Sequence, residues 1–293
     1  MSKFVGSRFL ARFLGSSAFL GIVTVAWTAT FSGGCNQSQP LCRTGTGSYT
    51  IKYTLLSGSG ACANLKADVL QVNSYMDVGD DGKPVLERFP AALTPVALAT
   101  LVDEAQTRLG LDPQADVDPD PTHHTYAAGR FITDEPQDDF CDIPHPSPVI
   151  QQLPHLPAVP ADPEKKTPEL PEKAAVSISY EFSDWHVYFT AAHAGNQFRV
   201  HLRYTVDGAV CEYDGRAALF ATRPSCDFGD GTAFPLACDA EAHPDAKLAN
   251  GKGLSLGSGV DPDFPIECDR ETLLCLLTRD PPALRSPSDP PLQ

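Results

Sequence analysis

Residues 176–219 carry the reading that decides the fold. They run Val176-Ser-Ile-Ser-Tyr-Glu-Phe-Ser-Asp-Trp-His-Val-Tyr-Phe189, then, after Gly195-Asn196, Phe198-Arg-Val-His-Leu-Arg-Tyr-Thr-Val-Asp-Gly-Ala-Val-Cys-Glu-Tyr-Asp-Gly-Arg-Ala-Ala-Leu219. Val176, Ile178, Tyr180 and Phe182 alternate with Ser177, Ser179, Glu181 and Ser183. Phe198, Val200, Leu202, Tyr204 and Val206 alternate with Arg199, His201, Arg203 and Thr205. A period of two with one apolar face is the pattern of a half-buried strand. Asp207-Gly208 is a favoured two-residue hairpin turn, and it predicts Cys211 opposite Tyr204 on the buried side. Ser183-Asp184 and Gly195-Asn196 are expected as further turns. Gly215 is expected as a bulge in the strand of Cys211, Tyr213, Ala217 and Leu219.

Working back toward the N-terminus, Tyr49, Ile51, Tyr53 and Leu55 alternate with Thr50, Lys52 and Thr54. Lys66 to Tyr75 reads as a second strand, and Asp77 to Lys83 as a turn. One helix is expected over residues 95–109, with Thr94 as cap, Pro95 in the first position and Gly110 as terminator. Leu98, Leu101, Val102, Ala105 and Leu109 share a face. Asp112 to Pro121 is an acidic loop, and Tyr126 to Thr133 reads as a returning strand. In Pro144 to Pro171, Pro154, Pro157, Pro160 and Pro163 recur every third residue, the repeat of a polyproline II helix.

The resulting organisation is a β-rich lobe over 48–143, a proline-rich connector over 144–175 and an antiparallel β lobe over 176–279. A tail follows over 280–293. The connector is expected to be extended, with part of it packed as a strap. The expected fold class is mainly β with one amphipathic helix (α+β), in antiparallel sheets for which a sandwich-like arrangement is one option, stabilised by disulfides.

The chain has nine cysteines. Setting Cys35 aside leaves Cys42, Cys62, Cys141, Cys211, Cys226, Cys238, Cys268 and Cys275, an even set that suits disulfides in an exported protein. Eight cysteines allow 105 pairings, and short spacing favours Cys226–Cys238 and Cys268–Cys275. No Cys-x2-Cys or Cys-x4-Cys pair points to zinc.

The first 35 residues explain the export. Lys3, Arg8 and Arg12 form a basic head, Phe13 to Phe31 is mostly apolar, and Ser32-Gly-Gly34 precedes Cys35. This is the plan of a signal peptide over residues 1–34. Gly15, Ser16, Ser17, Gly21, Thr24, Thr28 and Thr30 dilute the apolar run, which suits a removed segment better than a stable span. Small residues followed by cysteine resemble the lipobox of bacterial lipoproteins, with Ser32 where that family favours leucine. The resemblance implies that Cys35 is lipidated and begins the mature protein, with residues 35–47 as a tether. Asn36, in place of aspartate, implies outer-membrane sorting. The larger plan resembles uncharacterised exported lipoproteins of the myxobacterial type. It shares with them the lipobox, a β-rich first half, a proline-rich middle and a cysteine-bearing end around Asp263-Phe-Pro-Ile-Glu-Cys268 and Leu273-Leu-Cys-Leu-Leu277. That resemblance implies no activity.

Removing residues 1–34 takes away three positive charges and no negative ones, moving the formal charge from −15 to −18. A chain this acidic repels phosphate backbones, so nucleic acid is not an expected partner. The expected partners are the membrane, through the lipid, and an unidentified envelope protein or glycan.

Motifs for chemistry are sparse. Gly253-Leu-Ser255-Leu-Gly257 has the spacing of a nucleophile elbow, but Asn250-Gly-Lys-Gly253 precedes it in place of a buried strand. The last histidine, His243, also lies upstream of the serine, the wrong order for that fold. Asp77 to Gly82 resembles a calcium loop, yet Gly79 and Arg88 occupy positions that need ligands. Asp116, Asp118 and Asp120, and Asp227 with Asp230, are carboxylate clusters of solvated turns. No catalytic or metal residue is assigned, and calcium is the one cofactor left open. His123, His124, His186, His193 and His201 are candidate bases or ligands, with His201 on the polar strand face. The leading expectation is a lipid-anchored envelope protein acting as a non-catalytic binding or structural module. The alternative is a secreted hydrolase with a site of scattered Asp, Glu and His.

Overall fold

A computed structural model describes residues 41–75, 78–83, 85, 90–112, 115–161, 169–189, 194–220, 224–227, 231–247, 253–254 and 256–284. The signal peptide and Cys35 lie outside the described residues, as do His193, Ser255 and the Lys165-Lys166 pair.

The alternating segments pair as one antiparallel sheet. Its strands are β1 (Gly47–Ser57), β2 (Ala67–Ser74), β3 (Pro90–Pro95), β4 (Ala127–Arg130), β5 (Phe140–Ile143), β6 (Val149–Leu153), β7 (Val176–Phe189), β8 (Ala194–Val206) and β9 (Ala209–Phe220). The order is β4-β3-β2-β1-β9-β8-β7-β5, with β6 also on β7. The two edges then approach each other. Ser147 N–H donates to Ala128 O at 2.6 Å, and Ile132 N–H donates to Asp142 O at 3.0 Å. The sheet is therefore a nearly closed, barrel-like structure, which leaves few unpaired strand edges. Closure requires Gly129, because a Cβ there would stand 2.5 Å from Ile143 Cγ2.

The inner face holds the core. Tyr49, Ile51, Leu70, Leu93, Ile143, Trp185, Phe198 and Leu202 are all fully buried. Trp185 and Phe198 meet edge to face at 5.7 Å, and Tyr49 tilts against Phe198 at 4.9 Å.

Residues 48–143 and 176–279 do not separate into lobes. β1 from the first segment pairs along nearly its whole length with β9 from the second. Cys62–Cys211 and Cys42–Cys141 add covalent ties at separations of 149 and 99 residues. The connector is not free of regular structure either. β6 pairs with β7, and Leu156 and Val159 exchange hydrogen bonds with Lys173 and Leu170. Pro154, Pro157 and Pro160 are offset from those bonded positions, so the three-residue proline spacing spares the N–H groups the strap uses.

The hairpin at Asp207-Gly208 forms with φ of 50° and 81°, and Tyr204 pairs with Cys211 as expected. Three other expectations change. Gly195-Asn196 is not a turn but lies inside β8, whose first residue, Ala194, pairs with Phe189. Ser183-Asp184 is not a turn: β7 runs through it with a bulge, and Asp184 takes φ 51°. Gly215 is not a bulge either. It keeps register with Val200 and Tyr53, and a Cβ there would meet Ile51 Cδ1 at 2.6 Å. Its role is close packing across the core.

The one α-helix among the described residues, α1 (Val96–Leu109), buries Leu98, Val102 and Ala105 and ends at Gly110 in the left-handed conformation, φ 64°. Thr94 does not cap it, because Thr94 is paired with Gln71 inside β3. The cap comes from β2 instead. Asp68 Oδ1 accepts from Ala97 N–H at 3.0 Å and from Val69 N–H at 2.7 Å.

A C-terminal region over 224–284 covers part of the outer face. It contains β10 (His243–Lys247), β11 (Gly253–Leu254), β12 (Ile266–Cys268) and β13 (Cys275–Leu277). Thr50 Oγ1 donates to Cys275 O at 2.7 Å, and Ala218 and Phe220 join a second apolar cluster with Val260, Phe264 and Leu277. Its bridges are Cys226–Cys268 and Cys238–Cys275, not the short-range pairs that spacing favoured. The reason is spatial. Cys226 N–H donates to Leu273 O, and Ser225 bridges Leu274, which seats the 225–238 segment against the β12–β13 hairpin. Peptide mapping under non-reducing conditions is expected to recover the four observed pairs and no Cys226–Cys238 or Cys268–Cys275 peptide.

Asp68 also sets a pH dependence. It is buried, its Oδ2 has no partner among the described residues, and burial pushes its carboxyl up to about 7 despite the two backbone donors. The native state therefore binds a proton that the unfolded chain has released, so stability falls as pH rises from about 4 to about 7. A shift of this size corresponds to a loss on the order of 4 kcal/mol. Asp68→Asn keeps an oxygen for the cap without the charge. It is expected to raise the melting temperature at pH 8 and leave it nearly unchanged at pH 4, as read by thermal denaturation.

Candidate functional site: a charged ladder on the outer sheet face

Strand alternation puts the polar residues of β7, β8 and β9 on the outer face, and register aligns them in rungs. Glu181, Arg203 and Glu212 form one rung, with Glu181 opposite Arg203 and Arg203 opposite Glu212. The next rung is Ser183, His201 and Asp214. Directly opposed side chains in such pairs stand about 4.5–5.5 Å apart at Cβ.

The loop of His145, Pro146 and Pro148, between β5 and β6, rises beside these rungs. Together they enclose an open cleft of about 380 Å³ lined by His145, Glu181, Ser183, His201, Arg203 and Glu212. His201 Nε2 is 2.8 Å from Glu212 Oε2. Arg203 Nη1 is 3.3 Å from both Glu181 oxygens, and its Nε is 3.7 Å from Glu212 Oε1. Glu212 thus joins a histidine and an arginine, while Glu181 faces the arginine from the other side. Arg216, one rung further along, is committed elsewhere, to Asp214 and to Asp280 at 3.1 Å.

The structure separates the other histidines named from the sequence. His186 Nδ1 pairs with Asp142 at 2.6 Å, outside the cleft. His124 stacks on Tyr126. His123 Nδ1 meets Asp118 Oδ2 at 2.6 Å.

The carboxylate clusters are likewise occupied by donors of the chain. Asp118 Oδ2 also accepts from Gln152 N–H at 2.6 Å, and its Oδ1 accepts from Asp120 N–H at 3.0 Å. It pins the acidic loop to β6. Asp81 is bound to Lys83, and Asp227 Oδ1 accepts from Gly231 N–H. The sulfurs of Cys226, Cys238 and Cys268 lie within 4.8 Å of one another, and each is consumed in a disulfide. Asp77, Asp230 and Ser255 lie outside the described residues.

Of the histidines singled out in the sequence, the cleft takes in His201. Glu181, Ser183, Glu212 and His145 were not singled out. The hairpin register would have found Glu212, since a two-residue turn at Asp207-Gly208 places it opposite Arg203.

Fold and cleft together define a disulfide-stapled, barrel-like β protein with a charged cleft on its outer wall. The chain matches the MlpA family over residues 47–219, more than half its length, and belongs to that family. The matched region is the barrel itself, from the start of β1 to the end of β9. The chain is also 30% identical over 95 residues to the protein named "Putative lipoprotein MlpA" from Myxococcus xanthus. That alignment covers 32% of each chain, so it spans about a third of the relative's length. No solved structure matches. The resemblance to myxobacterial-type lipoproteins is borne out, and the relative's description fits a lipid-anchored envelope protein.

Two substitutions separate framework from cleft. For Asp118, burial raises the carboxyl, but hydrogen bonds from Asp120 N–H, His123 and Gln152 N–H together outweigh it and hold it below the usual range. Its contribution is full above the unfolded value of 3.8 and is lost as pH falls through the lower native value. Asp118→Ala strands these donors and is expected to cost about 2–3 kcal/mol at neutral pH in denaturant titrations. Glu212→Gln acts on half-exposed pairs and is expected to change stability by less than about 1 kcal/mol.

Proposed function

We propose that the protein is a lipoprotein anchored through Cys35 to the outer membrane, whose barrel is a non-catalytic binding module. The observation that carries this reading is the ladder. Its charged groups are arranged on a sheet that disulfides and near-closure hold rigid, and its arginine meets the flanking carboxylates only at 3.3 Å and 3.7 Å. Preorganised polar groups beside an apolar wall suit recognition at low ordering cost. The acidic mature chain supports an envelope partner over a nucleic acid.

One observation favours a second reading, a hydrolase. Ser183 stands opposite His201, and His201 is held by Glu212. Serine, base and carboxylate in that sequence is the logic of an activated nucleophile. A fluorophosphonate probe separates the two readings. The binding module predicts no label on Ser183 in the folded protein. A label lost in Ser183→Ala establishes the hydrolase.

The anchor has its own test. Mass spectrometry of the mature N-terminus is expected to find Cys35 first, carrying acyl mass. Cys35→Ala is expected to leave the chain unlipidated and to release it from the membrane fraction. A mature N-terminus beyond Cys35 with no acyl mass refutes the anchor.

A further inference from the structure

We propose that the cleft binds a small zwitterion, a ligand bearing a carboxylate and an ammonium group a few bonds apart, as in a free amino acid or short peptide. The proposal rests on the binding-module reading and specifies its ligand. It follows from the unequal quality of the contacts. His201 and Glu212 are joined at 2.8 Å, a firm bond that fixes the carboxylate. Arg203 lies between two carboxylates yet is held tightly by neither, at 3.3 Å and 3.7 Å. A committed guanidinium–carboxylate bond is about 2.7–2.9 Å. The Arg203 side chain is 48% exposed and Glu181 46% exposed, so both present polar atoms to the cleft.

A half-exposed guanidinium whose own contacts are this long takes a carboxylate through its planar fork. The same rung has two carboxylates, Glu181 and Glu212, for one guanidinium. The surplus negative charge selects an ammonium group and disfavours a dianion. A ligand carrying both groups satisfies Arg203 and Glu181 together. Pro146 and Pro148 offer an apolar wall for the remainder of such a ligand, and the cleft volume of about 380 Å³ accommodates an amino acid or dipeptide. A neutral sugar would have to desolvate this charged rung without neutralising it.

Isothermal titration calorimetry on the full mature chain tests the proposal. The probes are L-alanine and glycylglycine, with N-acetyl-L-alanine, L-alaninamide and glucose as controls. Saturable binding of L-alanine or glycylglycine is expected, with at least about tenfold weaker binding of each blocked alanine. Preference between the two zwitterions shows whether the ligand is a free amino acid or a peptide. Arg203→Met and Glu181→Gln are each expected to weaken binding at least about tenfold with little change in melting temperature. Zwitterion binding that survives both substitutions overturns the site. Glucose binding that is lost in Arg203→Met, with no zwitterion binding, overturns the ligand class and keeps the binding module. No saturable binding of any probe overturns the proposal. A fluorophosphonate label on Ser183 is the separate result that overturns the module.

Discussion

Strand β1 is held on both sides by partners far apart in the chain. β2 begins ten positions after β1 ends, but β9 lies more than 150 residues away, and β1 pairs with it from Ser48–Phe220 to Ser57–Glu212. This single pairing makes one sheet of two chain halves. Without it, β1 to β4 and β5 to β9 would each bury one face poorly and expose a long edge. The Cys62–Cys211 bridge sits at the same seam, and Tyr213 Oη donates to Cys62 O at 2.6 Å there. Closing so long a loop is entropically costly, and a covalent tie at that point removes freedom from the unfolded chain.

The same seam explains what the sequence made legible. Local signals were sound: the alternation in β7 and β8, the Asp207-Gly208 hairpin and the Gly110 helix end formed as read, and β1 kept Tyr49, Ile51 and Tyr53 inside, although Thr50 is buried under the C-terminal region and Leu55 is exposed. Each depends on residues close in sequence. The partition into lobes failed because strand order is a non-local property, and a proline-rich stretch looks like a boundary in one dimension. Here that stretch contributes β6 and a strap, with Pro154, Pro157 and Pro160 placed where no N–H is needed. The disulfide pairing failed for the same reason. Cys268 and Cys275 face each other across a hairpin, yet each bonds to the segment seated beside it.

Capping shows the limit at smaller scale. Thr94-Pro95 is a plausible start signal, and the helix does begin just after it. The oxygen that receives Ala97 N–H nevertheless comes from Asp68, a residue 29 positions earlier. The sheet brings it there and buries it, and burial is what raises its carboxyl. A reading along the chain sees Asp68 only as one polar residue in an imperfect strand.

Charge placement then divides the molecule by purpose. Asp118 is buried, and both of its oxygens receive donors from its own loop or from β6. Such groups fix backbone, and removing one strands the others. The ladder of Glu181, Arg203, Glu212 and His201 is built differently. Its members lie on the exposed side of three adjacent strands, and its arginine contacts are long. Exposed pairs of that kind contribute little to stability, so the fold does not depend on them. A rigid sheet that carries loosely paired charges beside a proline wall keeps hydrogen-bonding groups facing the cleft that the described residues engage only at long distance. The candidate site was partly legible for that reason. Alternation placed His201 and Arg203 on the polar face, whereas Glu181 and Ser183 joined them only through the β7–β8 register, which the Gly195-Asn196 turn signal misplaces because both residues lie inside β8.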